Sequence, residues 1–204
     1  GKVFVGLPDG RVVALDQVTG QPVWETSVGS HKVNAKVSSS PIYVRGLVIV
    51  GDGSGDGGGA TPALQAFRAS NGGRVWSWTP VPSPGQKGSE TWRCNNATTN
   101  GSPSYGGGSF WESIIADTKL NMVYIGTGNP EPWNTRCPGD NLYTDSIVAL
   151  DLAHGTLKWH YQVVHHDLWD SDLPHNGVLF EGKYKVGKKM VTKKAVAYVN
   201  KVGM

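Results

Sequence analysis

Short apolar runs alternate with polar turns along this chain, and no apolar stripe repeats every three or four residues for long enough to make a helix. Strand-length patterns stand at residues 2–5, 41–50 and 121–126, bounded by Gly, Asn, Asp or Pro. Residues 112–117 come nearest to a helical segment, but they are too few and run straight into a strand pattern. One unit recurs. Residues 14–24 read Ala-Leu-Asp-Gln-Val-Thr-Gly-Gln-Pro-Val-Trp and residues 149–159 read Ala-Leu-Asp-Leu-Ala-His-Gly-Thr-Leu-Lys-Trp. Residues 66–76 give a worn copy, Ala-Phe-Arg-Ala-Ser-Asn-Gly-Gly-Arg-Val-Trp. The unit predicts a hairpin: a strand ends at Ala-x-Asp, Asp and Gly supply the turn, and the return strand delivers a Trp broad enough to anchor one unit on the next.

Units of this size cannot bury their own faces, so they are expected to stack radially as blades. The fold class predicted is all-β: an incomplete β-propeller of about three four-stranded blades, one partial domain over residues 1–204. The interval from Trp24 to Trp76 suits one blade, whereas that from Trp76 to Trp159 is much longer. The excess is a Gly/Pro/Ser/Asn-rich loop insertion at about 80–109, and loops of that length are usually functional.

Composition removes several alternatives. The apolar fraction of 38% is ordinary for a globular chain, and 28 glycines fit many tight turns. No apolar stretch approaches the roughly 20 residues of a membrane helix. The net charge is only +3, and Lys183, Lys185, Lys188, Lys189, Lys193 and Lys194 alternate with strand formers. That spacing predicts a solvated hairpin and argues against a nucleic-acid partner. The chain opens inside a strand pattern with no signal peptide in view, so it reads as a piece or a mature segment. Cys94 and Cys137 lie in no Cys-x-x-Cys pattern, which excludes zinc and thioredoxin-like readings; a disulfide and two free thiols both stay open.

The candidate chemistry gathers between residues 106 and 172. Gly106-Gly107-Gly108-Ser109-Phe110-Trp111 allows a close backbone approach next to a large indole. Asn129, closing Ile125-Gly126-Thr127-Gly128-Asn129, and Asp170 and Asp172 offer the hard oxygen donors that calcium-like ions select. An aromatic floor, a hard metal and a spare carboxylate together suit a planar, anionic cofactor. His160, His165 and His166 lack a ligand spacing, so packing roles are expected for them.

The Ala-x-Asp-x-x-Thr-Gly-x-x-x-Trp unit resembles the tryptophan-docking repeat of the pyrroloquinoline quinone (PQQ) dehydrogenases, the quinoprotein alcohol and methanol dehydrogenases, whose propeller has eight blades. Non-catalytic propellers with PQQ-type repeats carry the unit too, so the alternative function is a binding or assembly scaffold. The Gly106–Trp111 run, Gly-Thr-Gly-Asn-Pro at residues 126–130, Pro132-Trp133-Asn134 and Pro138-Gly139-Asp140-Asn141 look like catalytic blades of the alcohol-oxidising branch. The resemblance implies that Trp111 carries the PQQ ring, with Gly107 and Gly108 beside it and the Ser38 hydroxyl touching the cofactor. It implies Asn129, Asp170, Asp172 and Asp56 as metal-side oxygens, Asp170 also as catalytic base, and Lys201 against the quinone oxygens.

The activity implied is oxidation of an alcohol or polyol hydroxyl to a carbonyl, by metal-assisted hydride transfer to the quinone. Electrons would pass to a cytochrome c or a quinone. The setting would be periplasmic or extracellular, with a membrane-associated parent left open, and the chain alone, lacking the other blades, would be inactive. Two departures stand out. Where the alcohol branch usually has a metal-binding glutamate, Gly51-Asp52-Gly53-Ser54-Gly55-Asp56-Gly57 has none, and Asp56 is the nearest substitute, one methylene shorter. His165-His166-Asp167-Leu168-Trp169-Asp170 looks instead like the membrane-bound glucose and polyol dehydrogenases. Asp172 matches an aspartate of lanthanide-using methanol dehydrogenases that glucose-type enzymes also carry, so Ca2+ and a lanthanide both stay open.

Overall fold

The computed structural model describes residues 1–29, 35–57, 62–93, 106–111, 114–131, 137–173 and 175–203. Among them, four antiparallel sheets each pair strands in sequence order. The first holds β1 (Lys2–Gly6), β2 (Arg11–Asp16) and β3 (Pro22–Ser27). The second holds β4 (Ile42–Val44), β5 (Leu47–Gly51), β6 (Leu64–Arg68) and β7 (Arg74–Trp78). The third holds β8 (Ile115–Asp117), β9 (Met122–Gly126), β10 (Ser146–Asp151) and β11 (Leu157–Gln162). The last is the hairpin of β12 (Val178–Val186) and β13 (Lys189–Ala197), which carries the alternating lysines. The expectation of about three four-stranded blades is therefore met by two complete sheets flanked by a three-stranded and a two-stranded one. No helix of the described residues is long and apolar enough to cross a membrane.

The cores lie between sheets, which explains why the middle strands read as unbroken apolar runs. Side chains alternate faces along a strand. On β5, Val48 and Val50 pack with Val12, Val28 and Val37 toward the first sheet, while Ile49 joins Val123, Ile125, Val148 and Leu150 of the third. On β9, Met122 and Tyr124 face the opposite way, onto Leu179, Val196 and Tyr198 at the hairpin. Burying both faces of a strand removes the hydrophobic-in, polar-out alternation that a one-sided sheet would show.

The recurring unit is a bulged hairpin whose letters each have a place. Its Ala stands directly across from its Trp in all three copies: Ala14 from Trp24, Ala66 from Trp76 and Ala149 from Trp159. The register slips just after that Ala each time, which is the signature of a bulge in the return strand. Trp24 Nε1 donates to Ala69 O at 3.1 Å, and Trp76 Nε1 donates to Leu152 O at 3.0 Å, so each indole bonds the turn of the following sheet. Glycine is needed there for two reasons. Gly155 has φ +67°, and a methyl on it would lie 2.6 Å from Cδ2 of Trp76. Gly72 holds the same place beneath Trp24 with φ +73°.

Asp151 stiffens the turn under Trp76. Burial opposes its ionisation, yet the His154 ring, the Lys158 ammonium and the Ala153 and His154 N–H groups outweigh burial and hold its pKa at about 2. A carboxyl depressed below its unfolded value stabilises the fold above that unfolded value and loses the contribution as pH falls through the folded one. Asp151→Asn should therefore melt below the parent protein near neutrality, with the gap closing between about pH 4 and pH 2. A gap in melting temperature that stays constant across that window would remove this carboxylate from the acid response.

The insertion, where described, is fastened to the 137–145 loop. Trp92 is buried and donates through Nε1 to Leu142 O, Arg93 N donates to Pro138 O at 2.8 Å, and Leu142 N donates to Thr91 Oγ1 at 2.9 Å. Cys137 is buried beside Val81 and Trp92 and is in a disulfide, while Cys94 lies outside the described residues.

Candidate functional site

The loops at one end of the second and third sheets and the turn after β13 meet around Gly128. A methyl there would lie 2.8 Å from Cη2 of Trp111 and 3.1 Å from Oδ1 of Asp172, so the missing side chain lets indole and carboxylate close on the same backbone. The next residue, Asn129, donates its backbone N–H to that Asp172 oxygen at 2.5 Å. Lys201 Nζ donates to Asp170 Oδ1 at 2.6 Å and contacts Asp172 Oδ2 as well. Lys201 N donates to Asp172 O at 3.0 Å, which ties the turn after β13 to the loop before β12. Trp111, Asn129, Asp170, Asp172 and Lys201 thus come together from four separate stretches of chain.

Ser38 adjoins them. A methyl on Gly53 would collide with Ser38 Oγ and lie 3.9 Å from Cβ of Trp111. Gly107 and Gly108 have a different surrounding from the one their sequence suggests. They take φ +100° and +69°, Gly107 bridges Pro130, and Gly108 N donates to Asn129 O at 2.8 Å. Their close approach is to the backbone that carries Asn129 and to Pro80. Asp56 lies in the 3-10 turn Ser54–Gly57, against which Gly107 N donates to Gly55 O at 3.2 Å; the Asp56 side chain is outside the described residues. Asp52, its neighbour, is buried and caps Ser54 N at 2.9 Å. Burial raises the Asp52 pKa against the pull of Ser54 and of the Lys36 N–H.

The two carboxylates beside Lys201 differ in access. The side chain of Asp170 is 28% exposed and that of Asp172 only 1%. Burial pushes the Asp172 carboxyl up to about 7, with Asp170 acting in the same direction and Lys201 and the Asn129 N–H against it. Burial works against the Lys201 charge too, but the bonds to Asp170 and Asp172 outweigh it and raise its pKa. A half-exposed carboxylate can meet a substrate hydroxyl; a sealed one can only hold charge in place.

Do these residues suit a hard cation? The Asn129 amide nitrogen donates to Pro130 O at 2.9 Å and Glu131 Oε1 at 3.3 Å, which turns its Oδ1 the other way. Asn129 and Asp172 are both about 1% exposed, so their oxygens are already stripped of most water. Among the described residues no three His, Cys, Asp or Glu side chains cluster for a metal. The donors are the buried Asn129 amide oxygen and the buried Asp172 carboxylate, types that fit Ca2+ or a lanthanide, while Lys201 spans Asp170 and Asp172.

A model of the PQQ β-propeller domain of glucose, ethanol and alcohol dehydrogenases matches residues 2–204. The chain belongs to that family. It is 40% identical over 181 residues to the quinohemoprotein alcohol dehydrogenase of Comamonas testosteroni, covering 83% of this chain and 25% of that protein. The crystal structure of the Comamonas enzyme superposes with a TM-score of 0.84 at 34% identity, covering 98% of this chain and 31% of that one. A europium-containing methanol dehydrogenase gives a TM-score of 0.82 at 25% identity, over 98% of this chain and 36% of that one. The sheets are therefore blades of a propeller that does not close within this chain, which spans between about a quarter and about a third of these family members.

Three residues of the site escape a reading by motif. Asp167 and Ser171 brace the loop that carries Asp170, and Glu131 orients Asn129. A local signal existed for the first pair: an aspartate two residues before one N–H and four before another can cap both. Nothing local flagged Glu131, whose neighbours 132–136 lie outside the described residues. Among the described residues His160, His165 and His166 join no metal cluster: His160 sits edge-on to Tyr143, His165 lies 3.6 Å from Asp140, and His166 Nδ1 lies 2.9 Å from Asn141 Oδ1.

Proposed function

We propose that the chain forms part of a PQQ-dependent dehydrogenase that oxidises the hydroxyl of an alcohol or polyol to a carbonyl. The observation that carries this is the meeting of Trp111, Asn129, Asp170, Asp172 and Lys201 around Gly128. A scaffold propeller has no use for a desolvated donor set beside a partly exposed indole and a reachable carboxylate. When bound, PQQ supplies the acceptor of two electrons and a hard cation polarises it.

This chain's own residues do the rest. Trp111 gives the flat floor, with Ser38 at its margin and Gly107 and Gly108 shaping the backbone beneath. Asn129 and Asp172, joined by Asp56, would hold the cation. Asp170 takes the proton from the substrate hydroxyl as hydride leaves its carbon, and Lys201 keeps that carboxylate aimed. The Cys137 disulfide supports an oxidising setting such as the periplasm. The electrons would go on to a cytochrome c or a quinone.

The test is reconstitution of the full-length protein that carries this chain with PQQ and either Ca2+ or La3+, followed by dye reduction with primary alcohols, polyols and glucose. Reduction dependent on PQQ, metal and alcohol is the expected result. None under either metal, with PQQ shown to be bound, would defeat the enzyme reading and leave the scaffold.

A further inference from the structure

Asp170 occupies a backbone conformation that a non-glycine residue does not choose by itself, with φ +63°. No glycine stands in the loop 163–173 to absorb the turn, so something must impose it. The only described side chain that bonds the backbone on both sides of Asp170 is Asp167. Its Oδ1 accepts from Trp169 N at 2.8 Å, its Oδ2 accepts from Ser171 N at 2.6 Å, and Ser171 Oγ donates to Oδ1 at 3.1 Å. The Asp167 side chain is itself sealed, at 1% exposure, and His166 before it is left-handed at φ +49° and fastened to Asn141. One buried carboxylate thus clamps residues 169 and 171 and leaves residue 170 no conformation but the one that directs its carboxylate to Lys201.

We infer that Asp167 is the positioning residue for the catalytic base: it fixes Asp170 by gripping the peptide N–H groups of Trp169 and Ser171. This rests on Asp170 being the base. The bonds are charge-assisted and made in a site that excludes water, where they hold geometry more firmly than neutral ones. The Asp167 carboxylate is sealed and turned to backbone, so its loss should slow the chemical step and leave binding alone.

The test is made in the full-length holoprotein, with rates counted per PQQ-titrated site. Asp167→Asn keeps the volume and one acceptor but turns an N–H toward another N–H. It is expected to lower kcat about 10²-fold while KM for the alcohol and PQQ occupancy hold, the loss typical of a misplaced catalytic group. Ser171→Ala, which removes only the hydroxyl bond, should give a smaller fall in the same direction and keeps the test open if the first variant folds poorly. Adding Asp167→Asn to Asp170→Asn should cost nothing further, because both changes remove one function. An Asp167→Asn protein that melts lower but turns over at the parent rate per site would overturn the inference and leave a structural role. If Asp170→Asn itself turned over at the parent rate, the base assignment would fall and this inference with it. Full loss in Asp170→Asn beside full speed in both clamp variants would defeat the inference alone.

Discussion

Asp170→Asn is expected to reduce kcat about 10³-fold, within the range general-base removal produces, with PQQ and the cation still bound. The substitution is isosteric, and an amide oxygen can still accept from Lys201 Nζ, now 2.6 Å away, so the local geometry survives. What disappears is basicity. Exposure decides against rescue by the neighbouring carboxylate: at 1% exposure Asp172 cannot reach a substrate hydroxyl, whereas Asp170 at 28% can. Asp172 is also engaged by the Asn129 N–H and by Lys201. Single-turnover dye reduction in the full-length protein, scaled to bound PQQ, measures the loss. A rate within about threefold of the parent would show that the proton leaves by another route.

The second large effect concerns stability. Trp76→Ala should cost about 4 kcal/mol, in line with other buried Trp truncations. Trp76 is 7% exposed, lies on Gly155 and bonds Leu152 O, so its removal opens a cavity between two sheets and strips a buried carbonyl of its donor. Trp159 has the same place in the same eleven-residue unit, yet it is 41% exposed. Its replacement by Ala in the 204-residue chain should cost about 1–2 kcal/mol, because it loses a tilted ring contact with Tyr124 but no docking bond. Trp24, half-buried over Gly72 with a bond to Ala69 O, should fall between them. Chemical denaturation of the three variants would test the order, and equal losses would mean that the indoles do not act by docking on the following turn.

That contrast shows what the chain makes legible. The recurring unit announces hairpins, and the strand patterns announce stacked sheets, because both follow from neighbours a few residues apart. Whether a given Trp is buried depends on which turn lies beyond it, and no single unit states that. The site divides in the same way. Trp111, Asn129, Asp170 and Lys201 could be picked out by residue type and resemblance, and the fold brings them together. The use of Gly107 and Gly108 could not be foreseen, since they make room for Pro130 and Pro80, far from them in sequence. The lack of a glutamate in residues 51–57, with Asp56 the nearest substitute, was plain to read. That Asp52 turns inward to cap the same loop was not. Asp167 was in view as a letter, but its work is done by bonds to backbone, which a search for side-chain chemistry passes over.

Trp24 and Trp76 both reach forward along the chain. Trp24 meets a carbonyl 45 positions later and Trp76 one 76 positions later. During synthesis at about 5–20 residues per second, a newly made sheet therefore holds a bare tryptophan for roughly 2–15 s before its landing place leaves the ribosome. Translation speed past each docking turn thus becomes a determinant of yield, and slow codons just after Trp76 would prolong the interval in which that sticky ring can find the wrong partner.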